Sequence, residues 1–354
     1  MLRRFTFLLA ASILTAPLPA AADELPTPQL NLDDAVMISP FGGRTAFSPD
    51  GKKIAFVGKT YGDAYEIDLT TRKVRNLTQA LPHQGIMRIQ YLSSGDFLVT
   101  APRIHNGANT RAHLEMWVLD RNLEHGLQPL GAQVFEGIAV SRKRNLIAWT
   151  AIEPELKPSE SWQLGFVRPT KRYTAEVTYQ DGKPKLTGKR EIMATLPAEC
   201  GFIEPQDFRE NDRELVYTCM GPMTSGALSI SVMGTDLVSG KHTTYYRRAG
   251  EYDEVEGIAP DGSWATVECG KQDKPGLPPL DICRLELREN GAMTLLVHGT
   301  TSGSTSDISN PIVSPDGKWL VFQRSDGGRG EIGEGYGIYM LKLPEQASGR
   351  KARP

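Results

Sequence analysis

Val313-Ser314-Pro315-Asp316-Gly317-Lys318-Trp319-Leu320-Val321-Phe322 reads as a strand, a tight turn and a returning strand. Proline presets the backbone angle early in the turn, aspartate bonds back onto its own backbone, and glycine supplies the positive φ that closes it. The residues after the turn run apolar, as a half-buried strand requires. The same phrase recurs as Phe47-Ser48-Pro49-Asp50-Gly51-Lys52-Lys53-Ile54-Ala55-Phe56 and as Ile258-Ala259-Pro260-Asp261-Gly262-Ser263-Trp264-Ala265-Thr266-Val267. Three copies mark a repeat whose unit is a small sheet that cannot bury its own faces and must stack on its neighbours.

Three degenerate copies lie between them, over Tyr91–Thr100, Val140–Trp149 and Phe208–Thr218. Counted at residues 50, 94, 143, 211, 261 and 316, the turns are 44, 49, 68, 50 and 55 residues apart. These spacings bracket the repeat of roughly 40 to 50 residues found in propellers, the longest one containing an insertion. Each inner hairpin is followed by material for two more strands, most clearly Ala64–Leu69 and Lys73–Thr78. The expected fold is therefore all-β, a six-bladed propeller of four-stranded blades, with five or seven blades as the alternatives. After Leu343 the chain makes a poor strand, so the segment from Gln29 to Val36 is expected to complete the last blade and remove an open edge.

The first 22 residues read as a secretory signal: Arg3 and Arg4, an apolar run from Phe5 to Leu14, and small residues Ala20 and Ala22 before the cut. The run is shorter than the roughly 20 residues a membrane helix needs, and nothing later is apolar enough to span. Residues 23–354 are then one propeller domain in a periplasmic or secreted protein. The 354 residues carry 40 basic and 42 acidic groups, a formal net charge of −2, which gives no reason to expect a nucleic-acid partner. The four cysteines, Cys200, Cys219, Cys269 and Cys283, fall as two local pairs, and an exported chain favours two local disulfides over four reduced thiols. Long polar segments, 101–111, 152–161, 270–279 and 325–337, all follow second strands and should gather on one face, where propellers bind their ligands.

The phrase Phe47-Ser48-Pro49-Asp50-Gly51-Lys52 with Ile54-Ala55-Phe56, followed by Ile67-Asp68-Leu69, Lys73 and Leu77-Thr78, resembles the TolB-type, WD-like propeller repeat. The likeness is strong in blades one, five and six and weak in blades two to four. It implies the fold and is silent on function, since that superfamily includes periplasmic TolB, propellers fused to serine peptidases, and oligogalacturonate lyase. The amino-terminal domain of TolB has no counterpart before the first hairpin, so the likeness is not to TolB proper. A Gly-x-Ser-x-Gly elbow is absent, which argues against a peptidase.

Inner strands line a propeller's channel, so their first residues are the informative ones. Seven positions before each turn residue stand Gly43, Met87, Glu136, Glu204, Glu254 and Ser309; one position later stand Arg44, Arg88, Gly137, Pro205, Val255 and Asn310. Two adjacent blades thus bring Arg44 and Arg88 to the mouth and the next three bring Glu136, Glu204 and Glu254, with His83 and Gln84 just before the second inner strand. A mouth polarised in this way suits a partner segment, a zwitterion or a saccharide, and its carboxylates could hold calcium, which takes six to eight oxygen ligands. A solvated channel with no ligand is the plain alternative. The lyases of the superfamily imply several histidines and a glutamine around a transition metal; here only His83 and Gln84 fall in the right part of a blade. Tyr245-Tyr246-Arg247-Arg248 and Trp162 offer stacking surfaces but read more simply as packing residues.

With no nucleophile motif and no metal-ligand array, the sequence favours a non-enzymatic scaffold that binds a protein or peptide. No catalytic residue or resident cofactor is expected. The alternative is a carbohydrate-active propeller, a lyase or hydrolase on an acidic glycan.

Overall fold

The computed structural model describes residues 29–157, 159–221, 229–271, 280–299, 306–326 and 337–344. The secretory signal, most of the polar segments 270–279 and 325–337, and the carboxyl-terminal tail lie outside them. The described residues form six antiparallel sheets of four strands each. Blade one runs Gly43–Phe47, Lys53–Val57, Ala64–Asp68 and Val74–Asn76; blade five runs Glu251–Ile258, Trp264–Lys271, Asp281–Glu286 and Met293–Val297. The other blades follow the same inner-to-outer order, so the chain is a six-bladed propeller.

The repeated phrase behaves as its chemistry requires. Gly51, Gly262 and Gly317 take φ of 69°, 71° and 72°. The serine before each proline in the first and last copies adds a clamp. The Ser48 hydroxyl donates to Asp50 at 2.7 Å and accepts from the Lys53 N–H at 3.0 Å. Ser314 does the same with Asp316 at 2.6 Å and the Trp319 N–H at 3.0 Å. The turn's polar groups are thus satisfied within the turn, which leaves the strands free to carry apolar residues.

Those residues fill the seams between blades. Ala55, Val57 and Ala64 of blade one pack with Ile89, Phe97 and Val99 of blade two. Val216, Val232 and Tyr245 of blade four pack with Val255, Ala265 and Leu285 of blade five. Each wholly buried large side chain contributes about 1.5–3 kcal/mol, and no blade has a second sheet of its own to bury it against.

The ring is closed by the amino-terminal segment, with a strand that begins seven residues later than its sequence suggests and shares only Val36 with the expected stretch. Val36–Ser39 is the outer strand of blade six, with Val36 opposite Met340 and Ser39 opposite Ile338. Residues 29–35 do something else. Leu30 bridges in parallel to Val297, the outer strand of blade five, and Leu32–Asp34 is a 3₁₀ turn. Leu30 and Leu32 then pack into the seam between blades five and six. The insertion of blade three is a long outer hairpin, Thr170–Gln180 and Lys183–Ile192, preceded by a 3₁₀ turn at Trp162–Phe166. Among the described residues no helix is long and apolar enough to cross a membrane.

Both local disulfides are present. Cys200 joins Cys219 and Cys269 joins Cys283, with Cα separations of 5.3 and 6.0 Å. The first ties the entry of blade four to its second strand, the second ties two strands of blade five, and all four cysteines are buried. Closing loops of this size is worth about 3 kcal/mol in the chain-entropy account. Replacing Cys269 and Cys283 together by alanine should lower unfolding stability by about that amount. A denaturant titration should show an earlier midpoint, with a slope at or above the wild-type value because the unfolded chain is no longer cross-linked.

Candidate functional site: a charged ring on the axis

The inner strands do not run straight to the channel. In blade one the register steps from Gly43 opposite Val57 to Ala46 opposite Ala55. In blade four it steps from Pro205 opposite Tyr217 to Asp207 opposite Val216, and in blade five from Val255 opposite Val267 to Gly257 opposite Thr266. Blade six steps from Ser309 opposite Gln323 to Ile312 opposite Val321. Each step is a β-bulge, one extra residue that bends the strand and re-aims a side chain. At the same level Arg44, Glu136 and Asn310 take left-handed φ of 52°, 65° and 49°, a conformation that costs free energy for residues other than glycine and must be held by its surroundings.

The holding groups are visible. The Arg44 N–H donates to the Gln323 Oε1 at 2.7 Å, and the Gln323 amide donates to the Ser309 Oγ at 2.9 Å. Gly43 is needed there, because a Cβ would meet that Gln323 oxygen at 1.9 Å. Gly137 plays the same part in blade three, where a Cβ would lie 2.6 Å from the Glu204 Oε1.

These strand entries bring together five of the six residues that the sequence nominates. Arg44, Glu136, Glu204 and Glu254 are buried and Arg88 is half-buried; Arg44 feels Arg88 and Glu136, and Glu204 feels Glu254, Glu136 and Arg88. His83 is not part of the ring. Its Nε2 lies 3.0 Å from the Asp63 Oδ1 and its Nδ1 accepts the Gly85 N–H at 3.0 Å, which fixes it in the connection between blades one and two. Tyr245 is a packing residue, wholly buried with its hydroxyl on Glu214.

The ring also contains charges that the turn alignment passes over. Glu256 is the bulged residue of blade five. Glu268 stands opposite Glu254 on the second strand. Arg111 enters from the loop after the second strand of blade two, where it donates to Glu136 through Nε at 2.7 Å and lies 5.3 Å over the Trp162 ring. That contact shows the loops of blades two and three folding together over the strand-entry face.

Burial and mutual repulsion set the protonation of the carboxyls. Desolvation, then Glu256, pushes Glu254 up to about 7, although the Tyr252 hydroxyl donates to it. Desolvation, with Glu204 adding to it against the pull of Arg88, pushes Glu256 up to about 7. Desolvation followed by neighbouring carboxylates raises Glu204 and Glu268 well above the usual range. Burial and then Arg88 lower Arg44 to about 10. Glu254, Glu256 and Glu268 each bring an oxygen within 4.8 Å of the others, a geometry that could accept one cation. Asn310 braces the group, its N–H 2.6 Å from the Glu268 Oε1 and its amide 3.2 Å from the Glu256 Oε1.

Below the ring lies a cavity of about 210 Å³. It runs from Arg44, Arg88, Glu256 and Asn310 past Phe47, Leu92 and Val140 to the hairpin turns at Pro49, Ser141 and Pro315. Apolar side chains share its walls with hydroxyls and amides; Arg44, Arg88 and Glu256 sit at the ring end, and Arg142 with Asp207 form a second charged pair in the lining.

The chain matches no protein-family model and no curated protein. Among solved structures, it is similar to a regucalcin from Agrobacterium tumefaciens described as a calcium-binding protein (11% identity, TM-score 0.54, 92% of this chain and 98% of that one). It is also similar to a gluconolactonase from Xanthomonas campestris (13%, 0.50, 88% and 91%) and to TolB from Acinetobacter baumannii (9%, 0.50, 86% and 64%). At these identities the similarity is one of fold: a propeller shared by binding proteins and enzymes alike.

The raised carboxyls give stability a definite pH dependence. Between pH 4.5 and about 7 the unfolded chain has released the Glu254 proton while the folded protein keeps it. Stability from this group is therefore full below pH 4.5 and falls as pH rises to about 7. Glu254→Gln, which keeps the shape and removes the charge, should stabilise the protein at pH 8 by something on the order of 1 kcal/mol. It should also flatten the fall between pH 5 and 7 in thermal melts.

Proposed function

We propose that this chain is an exported, non-enzymatic propeller that binds a segment of a protein or peptide partner through its axial channel. The observation that carries the reading is the state of two arginines. Arg142 and Arg111 have their carboxylates in contact, Asp207 at 2.8 Å and Glu136 at 2.7 Å. Arg44 and Arg88 line the cavity with no ion pair among the described residues, and the buried Arg44 Nε meets no acceptor. Burying a charge without a partner is expensive, and a bound group that supplies the partner would recover that cost. Two disulfides favour an oxidising compartment, in keeping with the exported reading.

A second reading keeps the same arginines and changes the ligand: an acidic sugar also presents a carboxylate, and the cavity would then serve a lyase or hydrolase. The two are separated by one comparison. Immobilised wild-type protein should retain a partner from an envelope extract, and a Glu204→Ala/Glu254→Ala variant with an unchanged circular dichroism spectrum should not. Equal retention by the variant would remove the channel from the binding role. Release of reducing ends from an acidic polysaccharide, lost on Arg44→Gln, would establish the enzymatic reading instead.

A further inference from the structure

The cavity's charged groups are Arg44, Arg88, Glu256, Arg142 and Asp207, and each has a sign and a place. At the ring end stand Arg44 and Arg88, whose guanidinium groups have no hydrogen-bond or ion-pair partner among the described residues, and beside them Glu256, only partly covered, whose contact is the Asn310 amide. Beyond them the walls are Ala46, Phe47, Leu92, Val140, Ile312 and Val313. The remaining charged pair in the cavity, Arg142 and Asp207, is closed on itself and on the backbone of Ile258 and Phe208.

An isolated anion would satisfy the arginines and be repelled by Glu256. An isolated cation would do the reverse. A group with a carboxylate next to an N–H satisfies both, and free amino acids and peptide carboxyl termini share that group. At about 210 Å³ the cavity falls below the roughly 300–1,000 Å³ of sites that enclose a drug-sized ligand, which suits a chain end better than a whole ligand. Capture of a terminal carboxylate is a known peptide-recognition mode, and planar guanidinium groups match carboxylate geometry.

We propose that Arg44 and Arg88 receive an α-carboxylate, with the adjoining N–H on Glu256 and the side chain against the apolar wall. The inference rests on the binding reading above and narrows it to the end of a chain rather than its middle. The left-handed backbone of Arg44, pinned by Gln323 across the seam to blade six, fixes the point from which its side chain enters the cavity.

The test is isothermal titration calorimetry on the full mature chain with three probes: acetyl-trialanine as the free acid, the same peptide as its carboxamide, and free L-alanine. The acid should bind, and the carboxamide should bind roughly ten- to a hundredfold more weakly, as expected for losing hydrogen bonds to a charged group. Arg88→Gln, at a half-buried position, should erase the difference between acid and amide; Arg44→Gln should do the same if it folds. The comparison of acid and amide on the wild-type protein needs neither variant. Equal binding of acid and amide would overturn the carboxylate site while leaving capture of an internal segment standing. Binding of free alanine without either peptide would keep the carboxylate site and overturn the protein-segment reading. No heat from any probe at millimolar concentration would overturn the proposal.

Discussion

Six sheets that share one axis leave little room where they meet, and the inner strands answer that crowding with a bulge at one common level. Four of the six show the register step, in blades one, four, five and six. The extra residue turns side chains that would lie in the seams toward the channel. The step at Val255 to Gly257 makes Glu256 the extra residue of its strand, and it stands beside Glu254 and Glu268, each bringing an oxygen within 4.8 Å of the others. The left-handed Arg44 and Asn310, and the glycines beside Gln323 and Glu204, are the local cost of that geometry.

The ring that results is a high-stakes arrangement. Buried carboxyls gather against arginines, and among the described residues only the Arg111–Glu136 contact closes as a direct ion pair within the ring. The other carboxyls crowd one another without a cation in contact among the described residues, so the low dielectric raises their pKa values, and burial lowers that of Arg44. A fold whose stability was the only constraint would do better with apolar residues of similar volume at these positions. The ring's persistence at one level, in blades whose seams are otherwise apolar, is what directs attention to the axis.

The fold was legible because the turn phrase carries its own chemistry: proline, aspartate and glycine specify the hairpin without help from distant residues, and six hairpins specify the count. The ring was half legible. Counting back from the turns finds Arg44, Arg88, Glu136, Glu204 and Glu254, since a hairpin's register propagates from its turn. Glu268 was within reach by the same logic, because reflecting Glu254 through Asp261 lands on it. Glu256 was also within reach, two residues beyond Glu254 on the same strand; Arg111 was hidden by a loop whose path depends on Trp162 of another blade. His83 failed for the opposite reason: its place near a strand entry was right, but Asp63 and the Gly85 N–H claim its ring. The closing strand slipped by seven residues because Leu30 and Leu32 look like a strand's buried face, and they are spent on the seam beside it.

The pairing of Val36–Ser39 with Ile338–Lys342 joins nearly the first described residues to nearly the last. Such a contact has the greatest loop-closure entropy in the molecule and cannot form until almost the whole polypeptide is present. A chain emerging from a translocation pore or a ribosome, amino terminus first, would carry its closing strand unpaired while five blades stack behind it. Until the last hairpin arrives, that strand is an edge seeking any partner, including its counterpart in another molecule. The circular architecture therefore sets an order of events, with ring closure as the final step.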